Sequence, residues 1–215
     1  MPSKSPLWVM GAGGHGKVVV DALRSQGQIV EAFFDDNSDL IGTLINGVKV
    51  VGRISDALGQ RSETHRLHIA IGSNAVRAKL ATGFGQRWGS AIHRKAWLSD
   101  GAKVSEGAMI GAHAIVQCDS EIGSHTIINT AAVVEHDVRV SSFVHLAPGT
   151  IVGGGAAIAE GAFIGIGAII LPGIKVGKWS TIGAGAVVTC DVPDGTTVVG
   201  IPAREVNRRS IEELR

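Results

Sequence analysis

One histidine of this sequence combines proton-accepting chemistry with room for a ligand. His136 lies in the run Glu135–Asp137, and eighteen residues later the chain reads Gly153-Gly154-Gly155. An imidazole with a pKa of about 6.5 is suited to accept a proton at neutral pH. Glycines bring backbone N–H groups close to a ligand, where they can hold the negative charge that develops on a carbonyl oxygen. These residues form the first candidate site.

A second candidate site lies near the start of the chain, in the loop Gly11-Ala-Gly-Gly-His-Gly16. The loop follows a short apolar run and precedes a stretch with helical spacing. This arrangement is typical of phosphate binding, because the N–H groups at a helix N-terminus point at the anion. Asp35 and Asp36 follow roughly 20 residues later, where an acid can meet a ribose hydroxyl. The alternative is that the glycines serve only close packing.

The elements that must position the first site come from a six-residue repeat. Every sixth residue over seventeen consecutive positions is aliphatic: Ile92, Leu98, Val104, Ile110, Val116, Ile122, Ile128, Val134, Val140, Leu146, Val152, Ile158, Ile164, Ile170, Val176, Ile182 and Val188. Small or β-branched residues stand four positions later, and glycine commonly follows the aliphatic residue. This period fits neither a helix nor a lone strand, and it predicts a short strand plus a turn in each hexad.

Three hexads that close a triangle give coils of 18 residues, which stack by parallel pairing at about 4.8 Å. The repeat then makes between five and six coils, a prism about 25 Å tall. Residues eighteen apart become vertical neighbours, so His136 lies between Cys118 and Gly154. Cys118 and Cys190 lie four coils apart, roughly 19 Å, which is too far for a disulfide. We therefore expect free thiols.

The first ninety residues follow another pattern. Strands are predicted over residues 7–12, 29–34 and 67–71, with helices over 17–25 and from 74 to 80. Strand, glycine loop, helix and strand begin a Rossmann-like unit. About 85 residues make only half of a doubly wound dinucleotide fold, so a mononucleotide or nucleotide sugar is favoured over NAD. We place a Rossmann-like domain at residues 1–90 and the repeat domain at 91–215, which ends in a helical tail from Ser210.

Composition and charge exclude several classes of protein. The 20 basic and 19 acidic side chains give a formal net charge of +1, which argues against binding to nucleic acid or to an anionic membrane. The apolar, uncharged stretch over residues 161–174 is too short and too rich in glycine for a membrane helix. The first residues lack the apolar core of a signal peptide. We expect a cytoplasmic protein whose partners include neither nucleic acid nor a membrane.

The repeat resembles that of the hexapeptide-repeat acyltransferases, which are left-handed parallel β-helices that assemble as trimers. Over about residues 7–204 the chain is similar to the PglD/NeuD-like sugar acetyltransferases. The motifs that carry this similarity are the glycine loop, Asp35-Asp36, Ile71-Gly-x-Asn74, the segment 129–137 and Gly200-Ile-Pro-Ala-Arg204. The resemblance implies an α/β Rossmann-like domain followed by a left-handed β-helix, in a homotrimer with acetyl-CoA between neighbouring prisms.

The resemblance also implies a reaction, in which acetyl moves from acetyl-CoA to the amino group, at C4, of a UDP- or GDP-linked dideoxy amino sugar. His136 is then the general base, and Asp137 orients its ring and makes it more basic. Acetyl-CoA would contact four residues: His145, Gly154, Ile166 and Ala184. The nucleotide sugar would contact six residues: Gly13, Gly14, His15, Asp35, Asp36 and Gly72. No metal is expected.

Three other functions stay open at this point. An O-acetyltransferase acting on sialic acid or another sugar hydroxyl would depend more heavily on His136, because a hydroxyl is harder to activate, although the nucleotide-binding domain favours the amino sugar. A metal-dependent hydrolase like the trimeric carbonic anhydrases needs three converging histidines, and the sequence has no tight pair such as His-x4-His. The third function is that of a subunit that binds a nucleotide sugar but catalyses no reaction on it.

The remaining histidines are expected to have plainer roles. We predict solvated surface side chains for His65, His68, His113 and His125. His15 is expected beside the substrate phosphates, with a cap on the following helix as the alternative.

Overall fold

The computed structural model describes residues 5–59, 65–82 and 87–206. The helical tail predicted from Ser210 lies outside these residues. No helix in the described ranges is long and apolar enough to cross a membrane. Cys118 and Cys190 are exposed free thiols.

A five-stranded sheet forms the N-terminal domain. Its strands are β1 (Leu7–Met10), β2 (Val30–Phe34), β3 (Leu44–Ile45), β4 (Val48–Gly52) and β5 (Arg66–Ile69). They lie in the order β3-β4-β2-β1-β5, and all neighbours are parallel except the antiparallel pair β3–β4. The predicted Rossmann-like start is confirmed, whereas β3 and β4 were not predicted.

Three helices flank this sheet: α1 (Gly14–Ser25), α2 (Ile54–Gly59) and α3 (Asn74–Thr82). A 3₁₀ turn over Ser38–Leu40 follows β2. The first helix begins at Gly14, earlier than the predicted Lys17, so the end of the glycine loop is already its first turn. Its buried side includes Val19, Val20 and Leu23, which pack in one cluster with the sheet.

Seventeen two-residue strands form the repeat domain, and the second residue of each is the aliphatic residue of one hexad. They are β6 (Ala91–Ile92), β7 (Trp97–Leu98), β8 (Lys103–Val104), β9 (Met109–Ile110), β10 (Ile115–Val116), β11 (Glu121–Ile122), β12 (Ile127–Ile128), β13 (Val133–Val134), β14 (Arg139–Val140), β15 (His145–Leu146), β16 (Ile151–Val152), β17 (Ala157–Ile158), β18 (Phe163–Ile164), β19 (Ile169–Ile170), β20 (Lys175–Val176), β21 (Thr181–Ile182) and β22 (Val187–Val188). Each pairs in parallel with the strand eighteen residues away, for example Val133 with Ile151. The β-helix and its coil length are confirmed.

The strands build a prism with three faces. Face 1 holds β6, β9, β12, β15, β18 and β21; face 2 holds β7, β10, β13, β16, β19 and β22; face 3 holds β8, β11, β14, β17 and β20. Two final strands, β23 (Thr197–Val199) and β24 (Arg204–Glu205), extend face 1. The turns form three corners. The first corner joins face 1 to face 2, the second joins face 2 to face 3, and the third joins face 3 to face 1.

The interior of the prism is a column of buried aliphatic side chains from Ile110 onward, filled in by small residues. Four of the small residues are hydroxylic: Ser120, Thr126, Thr150 and Ser180. Ser120 Oγ donates to Glu135 O at 2.6 Å, Thr126 Oγ1 to Ser141 O at 2.7 Å and Ser180 Oγ to Gly177 O at 2.7 Å. Three of the four buried hydroxyls are therefore satisfied by carbonyls of the prism, whereas Thr150 Oγ1 has no hydrogen-bond partner among the described residues.

The N-terminal domain docks on face 1. The outward residues Ala91, Met109 and Ile127 are buried in the same hydrophobic cluster as Leu7 and Val9 of β1. Burial of this apolar surface between the domains is the main force that holds them together. His145 is the next outward residue along the face, and it therefore lies where the covered area ends.

Coil spacing explains why glycine so often follows the aliphatic residue. A Cβ on Gly123 would lie 2.4 Å from the backbone nitrogen of Ser142, in the coil above. Ser142 cannot move aside cheaply, because the N–H of the preceding Ser141 donates to Ile158 O of the next coil.

We expect Gly123→Ala to destabilise the protein by about 1–3 kcal/mol through this overpacking. Thermal unfolding followed by circular dichroism measures the effect. Ser141→Ala is the matched control, because exposed Ser141 occupies the equivalent position one coil later and already carries a Cβ; its effect should stay within about 0.5 kcal/mol. Equal melting temperatures for the two variants would contradict the spacing argument.

Candidate active site

All six residues predicted to bind the nucleotide sugar line one cavity of about 390 Å³ in the N-terminal domain. The lining consists of Gly11, Gly13, Gly14, His15, Asp35, Asp36, Ile54, Ala70, Ile71 and Gly72. The cavity lies at the carboxyl ends of β1, β2 and β5, where ligands bind in parallel α/β sheets. The sequence missed Ile54, Ala70 and Ile71, which carry no chemical signal of their own.

The glycines of the loop divide into two kinds. A Cβ on Gly16 would lie 2.3 Å from Gly11 O, so this glycine permits the close approach of α1 to β1. Gly13 and Gly14 have open space around the position of a Cβ, and Gly13 precedes α1 without a capping side chain. The N–H groups at the start of α1 therefore face a space that fits an anionic group. Close packing thus explains Gly16, whereas Gly13 and Gly14 leave room for a ligand.

The two aspartates tie the rim of the cavity together. Asp35 accepts the N–H of Ala12 at 2.7 Å and that of Asn37 at 2.8 Å. Asp36 is exposed and accepts the N–H of Ile54 at 3.1 Å. A carboxylate offers about four acceptor positions, so both retain capacity for a hydroxyl of a ligand.

Two neutral histidines lie close together at this cavity: His15 lines it, and His145 of the β-helix contacts its wall at Gly72. The rings of His15 and His145 lie 6.3 Å apart. Burial lowers the pKa of His15 to about 3 and that of His145 to about 4, so both are uncharged at neutral pH. Nδ1 of His145 donates to Gly72 O at 3.3 Å, and its Nε2 lies 3.1 Å from Nδ2 of Asn129. Within the described chain, buried Nε2 of His15 has no partner, so it is available to a polar group of a ligand.

The prediction of solvated side chains was wrong for His68, on β5, and for His125, on the prism, because both are buried where the two domains meet. His68 is 1% exposed and donates from Nδ1 to Gly89 O at 2.8 Å. His125 is 4% exposed and stacks on Phe143. Desolvation lowers the pKa of each to about 4.

Of the other two histidines in that prediction, His113 is exposed as expected. His65 is partly buried and stacks on Trp8.

His136 lies at the second corner, with its side chain 60% exposed. Its Nδ1 donates to Oδ2 of Asp137 at 2.8 Å. This hydrogen bond raises the pKa of His136 above its ordinary value, and it leaves Nε2 as the nitrogen that can take up a proton. Asp137 adopts a left-handed backbone conformation, with φ of 60°, which aspartate tolerates better than most residues.

Gly154 lies directly against the His136 ring, as the coil length predicts. A Cβ on Gly154 would come within 2.7 Å of both Cε1 and Nε2 of His136. Gly155 N donates to His136 O, and this bond holds the second-corner turns of the two successive coils in register. Among the described residues, the N–H of Gly154 donates to no backbone oxygen. It is therefore open to a carbonyl oxygen placed beside the imidazole.

One chain does not bring all of the predicted residues together. Ile166 and Ala184 lie one above the other at the first corner, whereas His136 and Gly154 lie at the second corner and the cavity borders face 1. In a three-sided prism the second corner is the edge opposite face 1. His145 contacts the cavity wall, although it was predicted beside acetyl-CoA.

The sequence analysis also missed two polar residues at the junction of the domains. Asn129 contacts His145, and buried Arg77 donates to the carbonyls of Ile71 and Gly72. Asn129 lies in one of the motifs that carried the resemblance, and Arg77 follows another by three residues. The described residues contain no cluster of three or more side chains suited to hold a metal ion.

Family models match both parts of the chain. Residues 6–84 match the PglD N-terminal domain, and residues 155–190 match the bacterial transferase hexapeptide repeats. A curated relative, the uncharacterized protein L142 of Acanthamoeba polyphaga mimivirus, is 30% identical over 118 residues. That match takes in 54% of this chain but only 23% of the viral protein, so the chain spans about a quarter of its length.

Several solved structures are similar over nearly the full chain. PerB from Caulobacter crescentus, in complex with CoA and GDP-perosamine, is 38% identical with a TM-score of 0.88, covering 94% of this chain and 97% of that one. The acetyltransferase domain of PglB from Neisseria gonorrhoeae is 38% identical with a TM-score of 0.89, covering 94% and 100%. WeeI from Acinetobacter baumannii is 32% identical with a TM-score of 0.84, covering 93% and 99%.

Three observations point to the same family: the glycine-loop cavity, the hexapeptide prism with His136 at its second corner, and these full-length similarities. The chain belongs to the PglD-like family of acetyl-CoA-dependent sugar acetyltransferases.

Proposed function

We propose that this protein transfers acetyl from acetyl-CoA to the C4 amino group of a nucleotide-linked dideoxy amino sugar. The observation that carries the proposal is the pairing of His136, held by Asp137, with the open N–H and missing side chain of Gly154. The substrate class is supported by the cavity at the start of α1 and by the GDP-perosamine bound in PerB.

The chemistry needs a neutral amine, a proton acceptor and a donor to the oxyanion. Nε2 of His136 takes the proton from the amine as its nitrogen bonds to the thioester carbon. The N–H of Gly154 holds the carbonyl oxygen while negative charge develops on it. Collapse of this intermediate breaks the C–S bond, and the proton held on His136 is available to the departing thiolate. The product is an amide, and no acyl-enzyme forms.

The other residues divide between the two substrates. The diphosphate binds to Gly13, Gly14 and His15. The nucleoside contacts Asp35 and Asp36, and the sugar lies on the side of the cavity formed by Gly72. Ile166 and Ala184 hold acetyl-CoA together with Gly154. His145, which contacts Gly72, meets the reacting groups where the two substrates join.

A homotrimer completes the site in this proposal. The second corner lies away from face 1 in one chain, so the imidazole of one copy must serve the cavity of its neighbour. Acetyl-CoA then lies between two prisms, against the second corner of one and the first corner of the next. Since nucleotide sugars and acetyl-CoA are cytoplasmic metabolites, we place the reaction in the cytoplasm, at a step that supplies acetylated sugars for glycan synthesis.

Replacing His136 by alanine should lower kcat/KM by about 10²-fold or more, because the general base is lost. The assay measures thiol release from acetyl-CoA with UDP- and GDP-linked 4-amino-4,6-dideoxy sugars, GDP-perosamine included. His113→Ala, which removes an exposed histidine of the same prism, should keep wild-type activity. Unchanged turnover in His136→Ala would remove His136 as the base. Acetylation of free sialic acid alone would support an O-acetyltransferase instead.

The pH profile tests the role of Asp137. Because His136 must be unprotonated to act, kcat/KM should fall as the pH drops through its pKa. The Asp137 hydrogen bond raises that pKa, so Asp137→Asn should move the acid limb to lower pH and also reduce the plateau rate. Asp119→Asn, at the equivalent corner position one coil earlier, is the control for loss of a negative charge. An acid limb at the wild-type pH in Asp137→Asn would contradict the pairing.

Mixing two inactive variants tests whether neighbouring chains share the site. Gly14→Asp puts a carboxylate where the diphosphate is proposed, while an acid in the first turn favours the helix. Refolding it in equal amounts with His136→Ala should restore on the order of a quarter of wild-type activity, because one shared site in four receives two intact halves. Each variant refolded alone is the control. Without any recovery in the mixture, both halves must come from the same chain.

A further inference from the structure

Arg77 on α3 is a buried cation with no acidic partner. It is 1% exposed, and its contacts among the described residues are carbonyl and amide oxygens, with no carboxylate. Burying a guanidinium is costly unless its N–H groups are satisfied. Here all five donors are used. A neutral side chain would avoid that cost. The arginine must therefore be explained by the parts of the protein that its guanidinium connects.

The guanidinium connects the cavity wall to the β-helix. Nη1 donates to Ile71 O at 2.9 Å and to Gly72 O at 3.2 Å, both in the wall of the cavity. Nε donates to His125 O at 2.6 Å, and Nη2 donates to Phe143 O at 2.9 Å. His125 and Phe143 occupy equivalent third-corner positions in successive coils. One planar group therefore sets the distance between the wall and two coils.

The same contacts reach His145, which touches the cavity wall. Gly72 O accepts from both Arg77 Nη1 and His145 Nδ1. Movement of Gly72 would therefore change the tilt of the His145 ring, whose other nitrogen is held by Asn129. The charge of Arg77 also lowers the pKa of His145 and His15, after the larger effect of burial on each.

The helix that carries Arg77 is itself anchored to the prism. Asn74, one turn earlier, accepts from Arg77 Nη2 at 2.9 Å and donates from Nδ2 to Gly161 O and Ala162 O, each at 3.0 Å. Arg77 and Asn74 thus span three successive coils of the third corner. The described lining of the cavity holds two aspartates but neither lysine nor arginine, so the Arg77 charge lies just behind a wall that has no cation of its own.

We propose that Arg77 is a positioning residue, which fixes the Ile71–Gly72 wall of the nucleotide-sugar cavity, and through Gly72 the ring of His145, to the β-helix. The identity of the ligand rests on the proposed function, whereas the mechanical linkage does not. Lysine cannot replace the guanidinium, because a single ammonium does not reach the carbonyls of both the cavity wall and the β-helix.

Kinetics of Arg77→Lys and Arg77→Gln test the proposal, with Lys79→Gln as control for a cation removed from the exposed side of α3. In both Arg77 variants, KM for GDP-perosamine or the best substrate of the panel should rise about tenfold or more, while KM for acetyl-CoA stays within about twofold. Lys79→Gln should match wild type. Equal changes in both KM values, or a lower melting temperature with wild-type kinetics, would reduce Arg77 to a structural residue.

Histidine ¹⁵N NMR of the full-length protein gives a readout independent of turnover. Wild-type His145 should show the Nδ1–H tautomer, and both Arg77 variants should shift its Nδ1 resonance, whereas Lys79→Gln should not. If wild type acetylates no nucleotide sugar, the proposed function fails but this shift still tests the linkage. Unshifted His145 resonances would overturn the linkage, and so would failure of both variants to fold, since Arg77 would then serve the fold alone.

Discussion

Parallel stacking of 18-residue coils is the constraint on which the rest of the molecule depends. Each coil contributes one inward aliphatic residue per face and passes its backbone hydrogen bonds to the next, so any residue has a fixed neighbour one coil away. This spacing excludes a Cβ at Gly123 and places Gly154 against His136. A histidine and an open backbone N–H meet here because the coils cannot slip by one residue without turning the whole core outward.

The second organising feature is the surface that the prism presents to the N-terminal domain. Met109 and Ile127 point outward from face 1 and are buried by that domain, and beyond them the contact becomes polar. Arg77, His68, His125 and His145 all lie at this junction, and burial makes the three histidines poor bases. His136, exposed and paired with a carboxylate, has the opposite environment. The molecule thus separates buried histidines with structural contacts from one histidine suited to take a proton.

The distribution of the site over the molecule follows from these two features. Docking on face 1 fixes the cavity and His145 on one side of the prism, while the period of the repeat fixes His136 and Gly154 on the opposite edge. In the proposed homotrimer this separation is resolved, because a corner of one prism would meet a face of the next.

The sequence by itself determined what is periodic or local: the coil length, the inward residues, the stacking of Gly154 on His136, the glycine loop and the acids that follow it. These depend on spacing along the chain, which the sequence states directly. Only the tertiary structure decided what depends on contact between distant segments. His68 and His125 are buried because the two domains meet there, and Arg77 reaches two coils because α3 docks at the third corner. Nothing in the spacing of these residues specifies which surface will be covered, since docking is set by the shape and apolar area of two complete surfaces.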